Sequence, residues 1–578
     1  MGERMTLLAT RAQKVAVVGA CLALAVTACG GSSKSSNSSG PTGKKGGTLF
    51  LINDADFDHL DPQRTYVSNS LNFTERFMNR TLVTYKSVPG PSGSELVPDM
   101  ATDLGRASDN NKTWKFTFKD NLKWQDGSPV TCADFKYGVS RGFATGVITD
   151  GPTYAFADLK LDLKADGTPV YGGPYVAGSN GGFDNAVQCT DPKNIVFHLA
   201  KPIGDFNYTL SLPEFAAVPQ AKDTKAQYDN TVFSDGPYKI ETYSRSKQLT
   251  LVRNSNWDPK TDNVRKAFPD KIVVKMGADP NVIDTQFISD TGDAKTGIMN
   301  ATNVQPQDLD RVLNDASLKK RAVNGFDGFA LYIAINTSKV KNLKVRQALA
   351  YAMNLETFRG AYGGKEYGDY ARGIITPALK SHKDFDVFGI KKSPTGDPAK
   401  AKQLLTEAGV KTPYPIKFDV RNRPATVKAA AAAKEALERN GNFAVTLNPL
   451  PVGPYYGLIG KKATQSDISG GGWGPDWPNG SAVIPPLFGG NLSTVDGSTN
   501  YSQLKDPKID SLIDAATSET DLTKQAKLWG GLDEAVVQDA AAIPTIWTKT
   551  TQMYGSGVKG AFLHSFYGEI DVNALSVA

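Results

Sequence analysis

Histidine and cysteine are scarce in this chain, with four of each among 578 residues. His59, His198, His382 and His564 lie far apart, and none has a second soft ligand near it in sequence, so no metal site is expected. Signatures of catalysis are missing too. The chain holds no P-loop, no His-Glu-x-x-His, no paired Cys-x-x-Cys and no Gly-x-Ser-x-Gly elbow. Gly46-Gly47 and Gly363-Gly364 are isolated pairs without the strand-to-helix setting of a phosphate loop. Adjacent carboxylates such as Asp533-Glu534 fall on an expected helix and read as a solvated face. These absences favour a binding protein over an enzyme and call for no cofactor.

An excess of one charge is also lacking. Lys and Arg number 65 against 59 Asp and Glu, a formal charge of +6 over a large surface, which argues against nucleic acid as a partner. Apolar content of 40% and charged content of 21% are those of a globular protein, and the length calls for two or three domains. One long apolar run stands out, Val15–Val26. It is shorter than the about 20 residues needed to span a bilayer. It follows Arg4, Arg11 and Lys14, as a signal-peptide core follows its basic region. It ends in Val26-Thr27-Ala28-Cys29-Gly30, which resembles a bacterial lipobox. Residues 1–29 are then a lipoprotein signal peptide, with Cys29 the lipidated first residue of the mature chain. A generic secretory cleavage site with an incidental cysteine is the alternative. Residues 30–47, rich in Ser, Gly and Lys, form a flexible tether of about 23 Å r.m.s. span. Such a protein sits on the extracellular face of the cell membrane, held by its lipid. Cys21 leaves with the signal. Cys132 and Cys189 remain, either as a disulfide, favoured by export, or as two buried thiols.

Periodicity places the elements. Alternation marks strands at Trp114–Phe118 and Lys271–Met276, Ile416–Val420 and Phe443–Leu447 read as strands too, and apolar runs mark others at Leu331–Asn336 and Ile543–Thr548. Helical spacing marks Ser70–Leu82, Val345–Phe358, Ala425–Arg439 and Asp521–Asp539. Asp397-Pro398 opens a further helix that Gly409 closes. Residues 145–190 read as Gly-rich and irregular. Strands alternating with helices over Leu331–Leu447 imply an α/β domain with a largely parallel sheet.

The stretch Gly470–Gly480 sets two indoles around one carboxylate, Asp476, among Gly and Pro. That pattern suits a site gripping a small cation. A surface turn whose Trp side chains pack inward is the other reading.

Several segments together resemble the family 5 extracellular solute-binding proteins, the lipoprotein components of bacterial peptide-type ABC importers. They are Gly46-Gly47-Thr48-Leu49, Leu60-Asp61-Pro62, Trp114–Arg141, Gly236-Pro237-Tyr238, Arg253-Asn254 with Trp257, Asn336 followed by Val345–Leu349, Asp397–Gly409, and Trp473–Pro478. The resemblance covers Gly46 to about Thr548. It implies a two-lobed periplasmic-binding-protein-like α/β fold of type II, with mixed sheets, flanking helices and an extra subdomain. Lobe I would comprise 46–325 plus 546–578, including a subdomain at about 75–200, and lobe II 326–545, with crossovers near 325 and 546 as the hinge.

The resemblance also implies a function: capture of short peptides by hinge closure and delivery to an ABC permease and its ATPase subunits, by a monomer. A buried carboxylate answers a peptide's α-ammonium and an arginine its α-carboxylate. Asp476 stands at the ammonium-binding position. Arg423 stands at the carboxylate-binding position, with Arg421 close enough to compete for the role. Arg423 as a surface residue at a helix entry and Trp473 as core packing are the bland readings. Gly472 would admit the peptide backbone, and Trp473 and Trp477 would close the walls. Tyr66 and Ser68 match a ligand-lining segment. A non-peptide solute (nickel chelate, oligosaccharide or opine) and a peptide-signal sensor are the alternative functions.

Overall fold

Thr48–Ile52 is an apolar run that forms the second strand of a five-stranded sheet in a computed structural model describing residues 43–178, 180–494 and 497–577. Cys29, the expected signal segment and most of the expected tether lie outside the described residues. The sheet order is Gly297–Met299, Thr48–Ile52, Lys271–Lys275, Gln248–Arg253, Tyr238–Ser244. Thr48–Ile52 pairs in parallel with both neighbours, and the other two pairings are antiparallel. Leu49, Leu51, Leu251 and Ile272 pack there against Phe73 and Phe77 of the helix Ser68–Phe77.

A second sheet has six strands, ordered Gly368–Tyr370, Ala542–Met553, Ala322–Ile335, Ile468–Trp473, Tyr414–Arg421, Phe443–Leu450. The expectation of a largely parallel sheet is corrected here. Ala322–Ile335 runs antiparallel to both its neighbours, and only the pairings made by Tyr414–Arg421 are parallel. The reason lies outside the Leu331–Leu447 window: Ala542–Met553 and Ile468–Trp473 return from far along the chain to flank Ala322–Ile335. One face of this sheet buries Ile333, Phe418, Val420 and Ile468 against the helices Leu343–Ala352, Pro398–Glu407 and Pro424–Glu438. The other buries Tyr332 and Ala334 against Pro507–Ser518 and Leu522–Gln538.

The expected helix Val345–Phe358 is two helices. Met353 is extended, and Asn354 caps Leu355–Gly360 by accepting from the backbone N–H groups of Glu356 and Thr357. A side chain that satisfies the N–H groups of a new first turn interrupts a pattern that reads as continuous. The solvated-face reading of Asp533 is also corrected. It is fully buried and accepts from the N–H groups of Ile374 and Ile375 at 2.8 and 3.0 Å, while Glu534 pairs with Lys383 near the surface. Burial pushes the Asp533 carboxyl up to about 7.

A small four-stranded antiparallel sheet joins Arg106–Ser108, Thr113–Thr117, Asn194–His198 and Val187–Asp191. Cys132, opening the helix Cys132–Arg141, is disulfide-bonded to Cys189 with Cα atoms 5.7 Å apart. The irregular stretch 145–190 holds two short helices, Tyr154–Asp158 and Phe183–Ala186. Among the described residues no helix is long and apolar enough to cross a membrane.

Candidate functional site

Gly470, Gly471 and Gly472 follow one another in Ile468–Trp473, an interior strand of the six-stranded sheet. Glycine in a strand interior forgoes packing and marks a place where something approaches the backbone closely. Gly471 has no room for a side chain, since a Cβ there would lie 2.6 Å from the Tyr332 ring on the neighbouring strand. The Gly470 carbonyl accepts from the Tyr455 hydroxyl at 2.7 Å. Two cavities open beside this tract, and both touch Gly472 and Tyr456.

The cavity at the Trp473 end has a volume of about 450 Å³. Two carboxylates, Asp476 and Asp327, border it among the rings of Tyr66, Phe329, Trp473 and Tyr501. Asp476 is bound by phenols: the Tyr154 hydroxyl donates to it, and the Tyr66 phenol beside it also favours the anion. Among the described residues no Lys, Arg or His forms an ion pair with it. Burial raises its carboxyl above the ordinary value, and the two phenols oppose that rise by stabilising the anion. Burial and the Asp476 charge push the Tyr66 and Tyr154 phenols up in turn, so they remain donors. Asp327 is fixed by the Thr548 hydroxyl at 2.6 Å and the Phe329 N–H at 3.0 Å, and burial raises its carboxyl too.

Distant segments hold these groups in place. Arg141 donates to both carboxylate oxygens of Asp61 at 2.7 Å, a buried two-pronged pair that fixes the turn leading to Tyr66. Glu214 accepts from the N–H groups of Tyr154 and Ala155 at 3.2 and 2.9 Å and anchors the first turn of that helix. Past Asp476, Asp205 accepts from Asn479 at 2.8 Å and Ser481 at 2.5 Å, tying down the end of the Gly/Pro loop.

The second cavity, of about 360 Å³, lies beside Gly470 and is bordered by Arg421 and Arg423. Arg421 donates to the Val452 carbonyl at 3.2 Å, and its guanidinium sits 5.0 Å from the centre of the Tyr456 ring. Arg423 is exposed as the N-cap residue of Pro424–Glu438. The arrangement sets anionic groups at one end of the glycine tract and cationic groups at the other. It can receive a small zwitterion lying along the backbone.

Of the residues singled out in the sequence, Asp476, Tyr66, Gly472 and Trp473 border the first cavity and Arg423 the second, which Gly472 also touches. Trp473 also donates from its indole to the Ala482 carbonyl at 2.8 Å, so it packs and lines at once. Trp477 borders neither cavity. It is 8% exposed, lies in a core cluster with Leu71 and Tyr85, and stands edge-on to Tyr154 at 5.0 Å. The side chain of Ser68 lies outside the described residues. Sequence reasoning missed Tyr154, Asp327, Tyr332 and Tyr456. The pair Tyr455-Tyr456 after Pro454 was a readable signal; the other three carry no local mark.

Comparison with known proteins adds an independent line. Residues 95–494 match the family "Bacterial extracellular solute-binding proteins, family 5 Middle". The chain is 25% identical over 495 residues to the dipeptide-binding protein DppE of Bacillus subtilis, covering 83% of each chain. It is 22% identical over 525 residues to the periplasmic oligopeptide-binding protein OppA of Salmonella typhimurium, covering 89% of each. Among solved structures, "Clavulanic acid biosynthesis oligopeptide binding protein 2" superposes with a TM-score of 0.86 at 30% identity, covering 93% of this chain and 97% of that one. DppA from Helicobacter pylori in complex with peptide STSA shares the fold, with a TM-score of 0.66 at 16% identity over 92% of this chain and 99% of that one. The mixed α/β periplasmic-binding fold expected from the sequence is the observed one.

Proposed function

Because this chain belongs to the family 5 bacterial extracellular solute-binding proteins, we propose that it is the substrate-binding component of an ABC importer and captures short peptides along Gly470–Gly472. Relatives named as dipeptide- and oligopeptide-binding proteins support the coarse reading. One observation carries the finer one: Asp476 is a desolvated carboxylate held by phenols alone, with Arg421 and Arg423 beyond the other end of the same glycine tract. The α-ammonium pairs with Asp476 and the α-carboxylate with Arg423 or Arg421. The strand glycines leave space for the peptide backbone between them. Tyr66 and Trp473 close the walls of the ammonium end. The relatives are solute-binding proteins, and no chemical step is assigned to this one.

Capture proceeds by closure of two lobes, 46–325 plus 546–578 and 326–545. The support is in the paired strands Ala322–Ile335 and Ala542–Met553, whose register breaks between Phe326 and Ala330, at the expected crossover. Gly328, with φ +84°, sits inside that break. A register break in two long strands is a place where a rotation can be absorbed. Cys29 carries the lipid, the tether spans residues 30–47, and a monomeric body presents its ligand to the permease and its ATPases.

Isothermal titration of the mature protein with alanine peptides of two to five residues tests the reading. Binding is expected for free peptides, with loss on N-acetylation and on C-amidation. Binding of sugars or metal chelates with none of any peptide would overturn it. Mass spectrometry of material that co-purifies with the protein identifies the natural ligand directly.

A further inference from the structure

The cavity beside Gly470 contains more than two arginines need. Its floor includes Ile333, Phe418, Val420 and Ala430, none more than 3% exposed. It exists because Gly470 and Gly472 stand opposite Ile333 and Leu331 and bring no side chain to that face of the sheet. Its walls are rings. Phe358 and Tyr362 have centroids 5.7 Å apart, and Tyr362 stacks on Tyr367 at 5.2 Å with 18° between planes. Arg421 and Arg423 border this cavity as well, and Arg421 lies against Tyr456. A carboxylate bound by these arginines and a side chain entering the cavity would therefore come from neighbouring atoms, as they do in the last residue of a peptide.

We infer that this cavity is a side-chain pocket for the carboxyl-terminal residue of the peptide, and that it selects an aromatic ring. The inference rests on the peptide reading above. An aliphatic side chain fills space but leaves the ring walls without edge or face partners. A charged side chain is desolvated against Ile333, Phe418 and Val420.

The test is titration of the mature protein with alanine peptides ending in Ala, Leu, Phe or Tyr. Peptides ending in Phe or Tyr are expected to bind at least tenfold more tightly than those ending in Ala, with Leu between them. Ala430→Leu fills the floor from the helix and should erase that preference while leaving the Ala-ended peptide within about threefold. Thermal melting should show the variant folded. Equal affinity for all four endings, or a preference that survives Ala430→Leu in a folded protein, overturns the pocket and leaves the peptide reading standing. Failure to bind any of these peptides overturns both.

Discussion

Replacing Asp476 by Asn keeps the shape of the side chain and removes its charge. In the proposed complex that charge faces an ammonium at contact distance in a closed, half-desolvated site. Two unit charges at about 4 Å interact with about 4 kcal/mol at an effective dielectric of 20, and removing one partner of such a pair costs about 2–5 kcal/mol. Asp476→Asn should weaken a free peptide about 30-fold at the low end of that range and more than a thousandfold at the high end. The unliganded protein should lose no stability, and its melting temperature should hold or rise. The wild-type carboxylate is desolvated there with phenols but no cation, so neutralising it removes a cost.

The decisive assay is a cycle of two proteins and two ligands by isothermal titration. N-acetylation removes the peptide's charge and should cost wild type about as much as the mutation does, yet cost Asp476→Asn little. A coupling of at least about 2 kcal/mol is expected for groups in direct contact. If acetylation costs both proteins the same, Asp476 does not face the ammonium and the assignment falls.

Four further outcomes are expected. The ammonium favours ionised Asp476, whose carboxyl lies above its ordinary value in the free protein. Binding should therefore release protons near and below that raised value, and affinity should climb as pH rises through it. Above about pH 8 the peptide's own amine deprotonates and affinity should fall again; titration at several pH values in buffers of different ionisation enthalpy reads both limbs. The double variant Arg421→Gln with Arg423→Gln should abolish discrimination between free-acid and amidated peptides, and the two single variants show which guanidinium dominates. Gly471→Val drives a side chain into the Tyr332 ring and should destabilise the fold by about 1–3 kcal/mol in urea unfolding; a neutral effect would refute the close approach. Cys132→Ser with Cys189→Ser opens a link of sequence separation 57 and should cost about 4 kcal/mol by loop entropy, read from guanidinium midpoints.

Most elements were legible because their signals are local. Asp397 caps Pro398–Glu407 by accepting from the Lys400 N–H, as the Asp-Pro pair announces. Trp114 and Phe116 alternate inward along Thr113–Thr117 as the pattern requires. The failures share a cause. Asp533 lies on a helix whose partners, the N–H groups of Ile374 and Ile375, are about 160 residues away in sequence. Trp477 and Asp476 are neighbours in sequence, but Trp477 is buried and Asp476 borders a cavity, a difference that only packing against distant segments decides.

Composition and spacing by themselves marked an α/β protein, with Gly470–Gly480 as its unusual stretch and Asp476 as the charge in it, while a resemblance of short segments pointed to the family. These follow from side-chain type and short-range periodicity, which act over one turn or one strand. Tertiary structure alone decided what Asp476 touches. Tyr154 reaches it from a helix more than 300 positions earlier, Tyr66 from a turn fixed by Arg141 and Asp61, and the arginines from another strand. Contacts of that kind form only when the sheets assemble, because burial and strand order bring together groups that no local pattern connects.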